Sequence, residues 1–240
     1  MKNKVTLKAC GEYVEQTKVY SLKDAISAII LYIILIAEYI FMGKIFVYKG
    51  ADISEYFIFF VTAFFALLTV ALVGLLCVAH KQKFDTVGFS KTHWIKSFKL
   101  GMFLFVIVIM GGLIRYLFFH GTVKSDIPRI FMRIIYFLFF IGFTEELVFR
   151  GYIGTRLYGF FTSKGLSIVI TGILFSLMHV PFQAMVAQVA PLEYIMINWS
   201  NLISISIMHI GFQWLYSKHN SIVAPTILHF IWDYVQWIFI

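Results

Sequence analysis

Only two cysteines occur in 240 residues. Cys10 and Cys77 form no paired motif and flank the first hydrophobic stretch, so neither a disulfide framework nor a thiolate metal site is expected. Proline is also scarce, at four residues. With no Pro-rich linker, low-complexity tract or internal repeat, the chain speaks against jointed domains and against a transporter built from inverted halves. Charge is thin as well: Asp, Glu, Lys and Arg together make up 13% of the residues, against 60% hydrophobic and a mean hydropathy of +0.86. Such a composition excludes an ordinary soluble domain and suits a multi-span membrane protein. The first 23 residues are too polar for a signal-peptide core, so the first apolar segment is expected to remain as a span.

What is present is a series of about seven apolar stretches, with six to eight as the acceptable range. They lie near residues 25–48, 56–79, 100–119, 130–159, 165–190, 193–216 and 221–240. Each is long enough to cross ~30 Å of hydrocarbon at 1.5 Å per residue. The expected fold is all-α, a polytopic transmembrane bundle. A cytoplasmic segment, 1–23, precedes one membrane domain, 24–240. With the N-terminus inside, fourteen Lys and Arg fall in inside segments, Arg150 included, and four (Lys44, Lys49, Lys124, Arg129) in outside loops. The asymmetry favours that orientation. The +8 net charge then serves orientation and contact with anionic headgroups, and nucleic acid is not an expected partner.

Six polar residues stand where apolar helices should have none: Glu145, Glu146, Arg150, His179, His229 and Asp233. Ionisable groups at membrane depth are costly and mark functional sites by default. Glu145 and His179 each lie 17 residues from Thr162, in the turn FFTSKG, and so share one height in an antiparallel hairpin, ~25 Å from the turn. Its tip, with Arg156 and Lys164, is expected to project beyond the lipid. Glu146 and Arg150 are spaced as an i,i+4 ion pair, as are His229 and Asp233 as neighbours. Glu145, about 100° away from Glu146 on an α-helix, is then free for a substrate. Phe175, one turn before His179, is expected as a wall, and Phe149 and His209 are further cavity candidates, although His209 also suits simple packing. Glu38, His80, Arg115 and His120 are read as snorkelling residues near span ends.

These motifs resemble the CPBP family, which contains CAAX prenyl endopeptidases and bacterial bacteriocin-processing and self-immunity (Abi) proteins. The family pattern EExxxR, FxxxH and HxxxN/D is met by Glu145, Glu146 and Arg150; Phe175 and His179; His229 and Asp233. The resemblance runs from about Ile130 to the C-terminus. It implies a helical peptidase with a cavity inside the bilayer, open to the cytoplasm, in a bacterial cell membrane.

Amide hydrolysis in a membrane needs water, a base and donors for the oxyanion. Glu145 is the base, and His179 shares the water or protonates the leaving amine. His229 and Asp233 orient the carbonyl and stabilise its oxyanion. The prenyl-protein branch has Asn at the last position, whereas an ionised Asp233 only accepts hydrogen bonds. Glu145, His179, His229 and Asp233 also have the donor types of a zinc site, so two mechanisms stay open, metal-dependent and metal-free, although no compact HExxH pair is present.

Three function classes follow. The first is an intramembrane endopeptidase acting on a peptide precursor or lipid-modified peptide. The second is a membrane interaction or immunity protein with the same fold, and the third a channel or transporter using the intramembrane charges as a pathway.

Overall fold

The computed structural model describes residues 9–50, 53–119 and 121–239. Their elements are helical: a short α1 (Gly11–Thr17), then α2 (Leu22–Lys49), α3 (Glu55–Ala79), α4 (Trp94–Phe119), α5 (Ile127–Phe160), α6 (Lys164–Val186), α7 (Pro191–His219) and α8 (Val223–Ile238). Helices α2 to α7 are long and apolar enough to cross a membrane. At 16 residues, α8 spans only about 24 Å, so the expected seventh span is a shorter helix. The third begins at Trp94, six residues earlier than the expected 100.

The helix starts are written locally. The Ser21 N–H donates to Asp24 at the head of α2, and Ser54, Asp126 and Ser163 accept from the third residue onward at α3, α5 and α6. Each satisfies a donor that a helix N-terminus leaves orphaned. Pro128 and Pro191 sit in first turns, where the missing N–H costs nothing.

The bundle is inverted relative to a soluble protein. Phe60, Phe64, Leu67 and Leu75 on α3 and Phe103, Val106 and Ile107 on α4 are exposed, while Glu38, Thr62, Thr69, Glu145, Glu146, Arg150 and His229 are buried. Apolar surface of that extent needs lipid around it, and the polar residues can sit only against one another. The closest helix partners are α4 with α8, α6 with α7, α2 with α6, and α8 with α5. At the last of these, a Cβ on Gly142 would lie 3.3 Å from Phe230 N and 3.4 Å from Thr226 O. Glycine there lets α8 lie directly against α5.

The division expected at residue 23 meets no gap in the packing. Tyr13 of α1 is fully buried among Tyr158 and Tyr216 and accepts from Gln213 Nε2 at 3.0 Å. The hairpin tip also differs from expectation. Arg156 is fully buried, and Lys164 folds back onto the Tyr158 and Phe161 carbonyls. Glu38 is another correction: it lies in the middle of α2, buried, and accepts from Thr69 Oγ1 at 2.7 Å. A carboxylate at that depth cannot reach the interface by snorkelling, and a hydroxyl on the next helix takes its place. His80 sits 3.3 Å from Asp24, and His120 lies outside the described residues.

Candidate active site

Helix α5 supplies three of the six motif residues and is irregular where it does so. Two stretches, Tyr136–Phe143 and Leu147–Gly154, are π-helical, with a single α turn, Thr144–Glu146, between them. Such widened turns are uncommon and concentrate at functional sites. Thr144 Oγ1 donates five residues back, to the Phe139 carbonyl at 3.0 Å, which gives one of the displaced backbone acceptors a partner. Gly151 allows the second stretch to press on the loop before α4, since a Cβ there would lie 2.7 Å from Val87 O.

The structure brings all six residues together. His229 Nδ1 is 2.7 Å from Glu146 Oε1, which in turn is 3.0 Å from an Arg150 Nη1. On its other side, His229 Nε2 is 3.7 Å from Glu145 Oε2 and 3.5 Å from Asp233 Oδ2. His179 Nε2 lies 3.9 Å from the same Glu145 oxygen. His179 Nδ1 is 2.9 Å from the Phe175 carbonyl, one turn back on α6. A carbonyl only accepts, so Nδ1 carries the proton and the lone pair of a neutral His179 is on Nε2, toward Glu145. Glu145 and Glu146 are neighbours in sequence and both reach His229, one at each ring nitrogen. The separation of roles expected from α-helical angles is therefore a division between two sides of one imidazole.

Burial grades across the cluster. Glu146 and Arg150 have no exposed side-chain surface, whereas His179 and Asp233 are 24% and 26% exposed. The cluster is therefore open on the side of His179 and Asp233. Arg150 lies between two aromatic faces, with Cζ 4.3 Å from the Phe175 ring centre and 5.1 Å from that of Phe212. Its contact with Glu146 is an ion pair without hydrogen-bond alignment, and its three guanidinium nitrogens have no hydrogen-bond partner. Glu145 Oε2 and Glu146 Oε2 are likewise buried without one.

Of the three wall candidates, Phe149 lines a small cavity beside Glu145. Phe175 packs edge-on against His179, 5.2 Å between ring centres, and carries Arg150. His209 is fully enclosed, packs on Phe175 and lines no part of that cavity. Sequence reasoning missed Tyr39, whose hydroxyl donates to Glu145 Oε1 at 3.3 Å. The available signal was its position beside Glu38, in the middle of an otherwise apolar span.

The donor types of Glu145, His179, His229 and Asp233 suit zinc. Among the described residues, however, no three His, Cys, Asp or Glu side chains are grouped so as to hold a metal ion.

A family model described as Type II CAAX prenyl endopeptidase Rce1-like matches residues 127–235. No curated protein and no solved structure matches the chain. The match covers less than half of the chain but runs from the first residue of α5 into α8 and includes all six motif residues. The chain is an integral membrane protein whose segment 127–235 is similar to the Rce1-like type II CAAX prenyl endopeptidases.

Proposed function

We propose that the protein is an intramembrane endopeptidase in which Glu145 activates the attacking water. The observation that carries this reading is one carboxylate oxygen, Glu145 Oε2, buried without a hydrogen bond and facing two imidazole Nε2 atoms at 3.7 and 3.9 Å. Water held there loses a proton to Glu145 as its oxygen bonds to the scissile carbonyl carbon. The C–N bond then breaks as the amine takes up a proton, delivered by way of His179. Protonated His229 donates at both nitrogens, Nδ1 to Glu146 and Nε2 toward the oxyanion, in the role of an oxyanion-hole donor. Asp233, an acceptor, orients that Nε2–H in place of the amide it substitutes. Arg150 pairs with Glu146, which fixes the ring.

The N-terminus lies in the cytoplasm on this reading, following the Lys and Arg asymmetry, and the chain from 24 to 240 works as one membrane domain. The substrate is a membrane-associated peptide. An apolar recess of ≈370 Å³ on the loop between α3 and α4 and the start of α8, lined by Phe89, Trp94, Phe143 and Ile227 among others, supports an apolar or lipid-modified residue in that peptide.

The test is cleavage of a peptide library, with and without a prenylated C-terminus, by purified protein in liposomes. Wild type should cleave and be indifferent to a chelator, and Glu145→Gln and His179→Ala should not cleave. Cleavage surviving in Glu145→Gln overturns the base assignment, and chelator inhibition reversed by zinc overturns the metal-free step. Absence of cleavage by wild type, with cellular function retained in the variants, points to a binding or immunity protein instead.

A further inference from the structure

Hydrolysis consumes one water per turnover, and a site enclosed by apolar helices must be supplied with it. A cavity runs between α2, α3 and α5, from Glu38 to Glu145, with Tyr39, Thr62, Ala66 and Thr69 in its wall. Its volume is ≈40 Å³. A water occupies about 30 Å³ in the liquid and needs two to four polar partners. The space therefore has room for water.

The wall is polar at both ends. Glu38 is nine-tenths buried; Oε2 accepts from Thr69, and Oε1 has no partner. At the other end, Tyr39 engages Glu145 Oε1 and leaves Oε2 without one. A buried carboxylate oxygen without a donor is costly, and the two carboxylates that carry such oxygens here are both lining residues of the same small cavity. Neither Glu38 nor Tyr39 falls within the family-matched segment 127–235.

We propose that this cavity is a water site feeding Glu145, with Glu38 and Thr69 holding the water and Tyr39 positioning the Glu145 carboxylate to receive it. The supply role rests on the peptidase reading above, whereas the water site itself does not. Water held by Glu38 donates to Oε1, passes along Thr62 and Tyr39, and replaces the molecule consumed at Glu145. No covalent step occurs at Glu38, which is a positioning residue.

The test is hydroxyl-radical footprinting of the full-length protein in liposomes with ¹⁸O-labelled water, read at Phe65 and Met178, two further wall residues, alongside kcat and KM. Wild type should incorporate ¹⁸O at the buried Met178 and at the half-buried Phe65, and Ala66→Leu, which fills the cavity, should not at Met178. Ala66→Leu and Glu38→Leu should each lower kcat about tenfold with KM little changed. Glu38→Gln, which keeps an acceptor oxygen, should retain the larger share of kcat. Thr69→Val keeps the side-chain shape while removing the donor to Glu38, and serves if Ala66→Leu fails to fold. No label at Phe65 or Met178 in wild type overturns the water site. Label present with unchanged kcat in Ala66→Leu and Glu38→Leu overturns its role in supply. If wild type cleaves nothing, the peptidase reading has failed, and the footprint alone decides whether the cavity holds water.

Discussion

Two fully buried arginines stand six residues apart on α5, and they are held in opposite ways. Arg156 donates from Nη1 to the carbonyls of Gly151 and Thr86, at 2.9 and 3.2 Å, and to Thr155 Oγ1 at 2.8 Å. It also donates from Nη2 to Gln82, whose amide binds Asp24 at 2.7 Å. It rests on the ring of Tyr152, 4.0 Å from its centre. This knot ties α2, α5 and the loop between α3 and α4. Arg150 has an ion pair and two aromatic faces but no aligned hydrogen bond, and it adjoins two carboxylates with unpaired oxygens. Native proteins pair nearly all buried polar atoms. Polar capacity is left over around Arg150, less than two turns from Arg156, where only Nε lacks a partner; on the peptidase reading proposed above, the first region serves the site and the second the fold.

The contrast can be broken at several places. The largest effect expected is Glu145→Gln, which keeps the shape and removes the base: cleavage in liposomes should fall by about 10²- to 10⁴-fold, with thermal stability in detergent close to wild type. An equal loss of stability would make Glu145 structural. Next, Arg150→Ala strands Glu146 without its counter-ion and should cost about 3–5 kcal/mol as well as activity. Arg150→Met combined with Glu146→Gln should recover much of that stability while activity stays lost, and thermal melting with cleavage assays on the two variants separates the effects.

Arg156→Ala should cost roughly 2–3 kcal/mol through its lost charged hydrogen bonds, seen as a lower melting temperature. Residual kcat per folded molecule should stay near wild type, and a selective fall in kcat would show that the knot also serves the site. Gly142→Val sharpens the comparison from the backbone side. By pushing α8 off α5 it should lengthen the His229 to Glu146 contact and lower activity about tenfold with a smaller change in stability. The smallest effect belongs to Arg129, which is 57% exposed beside Glu55 and Asp126. Arg129→Gln should shift stability by less than about 0.5 kcal/mol, and a larger shift in the melting curve would contradict the view that polar groups matter here chiefly when buried.

The helices were legible because a lipid-facing helix must be apolar along its length, whereas the start of the third, at Trp94, lay six residues before its apolar stretch. The height match of Glu145 and His179 about Thr162 follows from the constant rise of the helices on either side, and the structure places those side chains 3.9 Å apart. The length of the last helix was less legible, since an apolar run extends past the point where the backbone stops being helical at Phe239. Glu38 read as a snorkelling residue because its partner, Thr69, is 31 positions away on another helix. Arg156 read as a loop cation for the same reason: its partners Gln82 and Thr86 are more than 70 positions away.

By itself, then, the amino-acid order determined that the chain is a helical membrane protein and which polar residues stand in its later apolar stretches. Hydropathy and helical rise depend only on neighbours along the chain. Only the tertiary structure decided that Glu145 and Glu146 address opposite nitrogens of His229, that Tyr39 reaches Glu145 from the first span, and that one buried arginine is tied by hydrogen bonds while the other is not. Those outcomes depend on π-helical turns and on close approach at Gly142, where the path of one helix is set by the backbone of another.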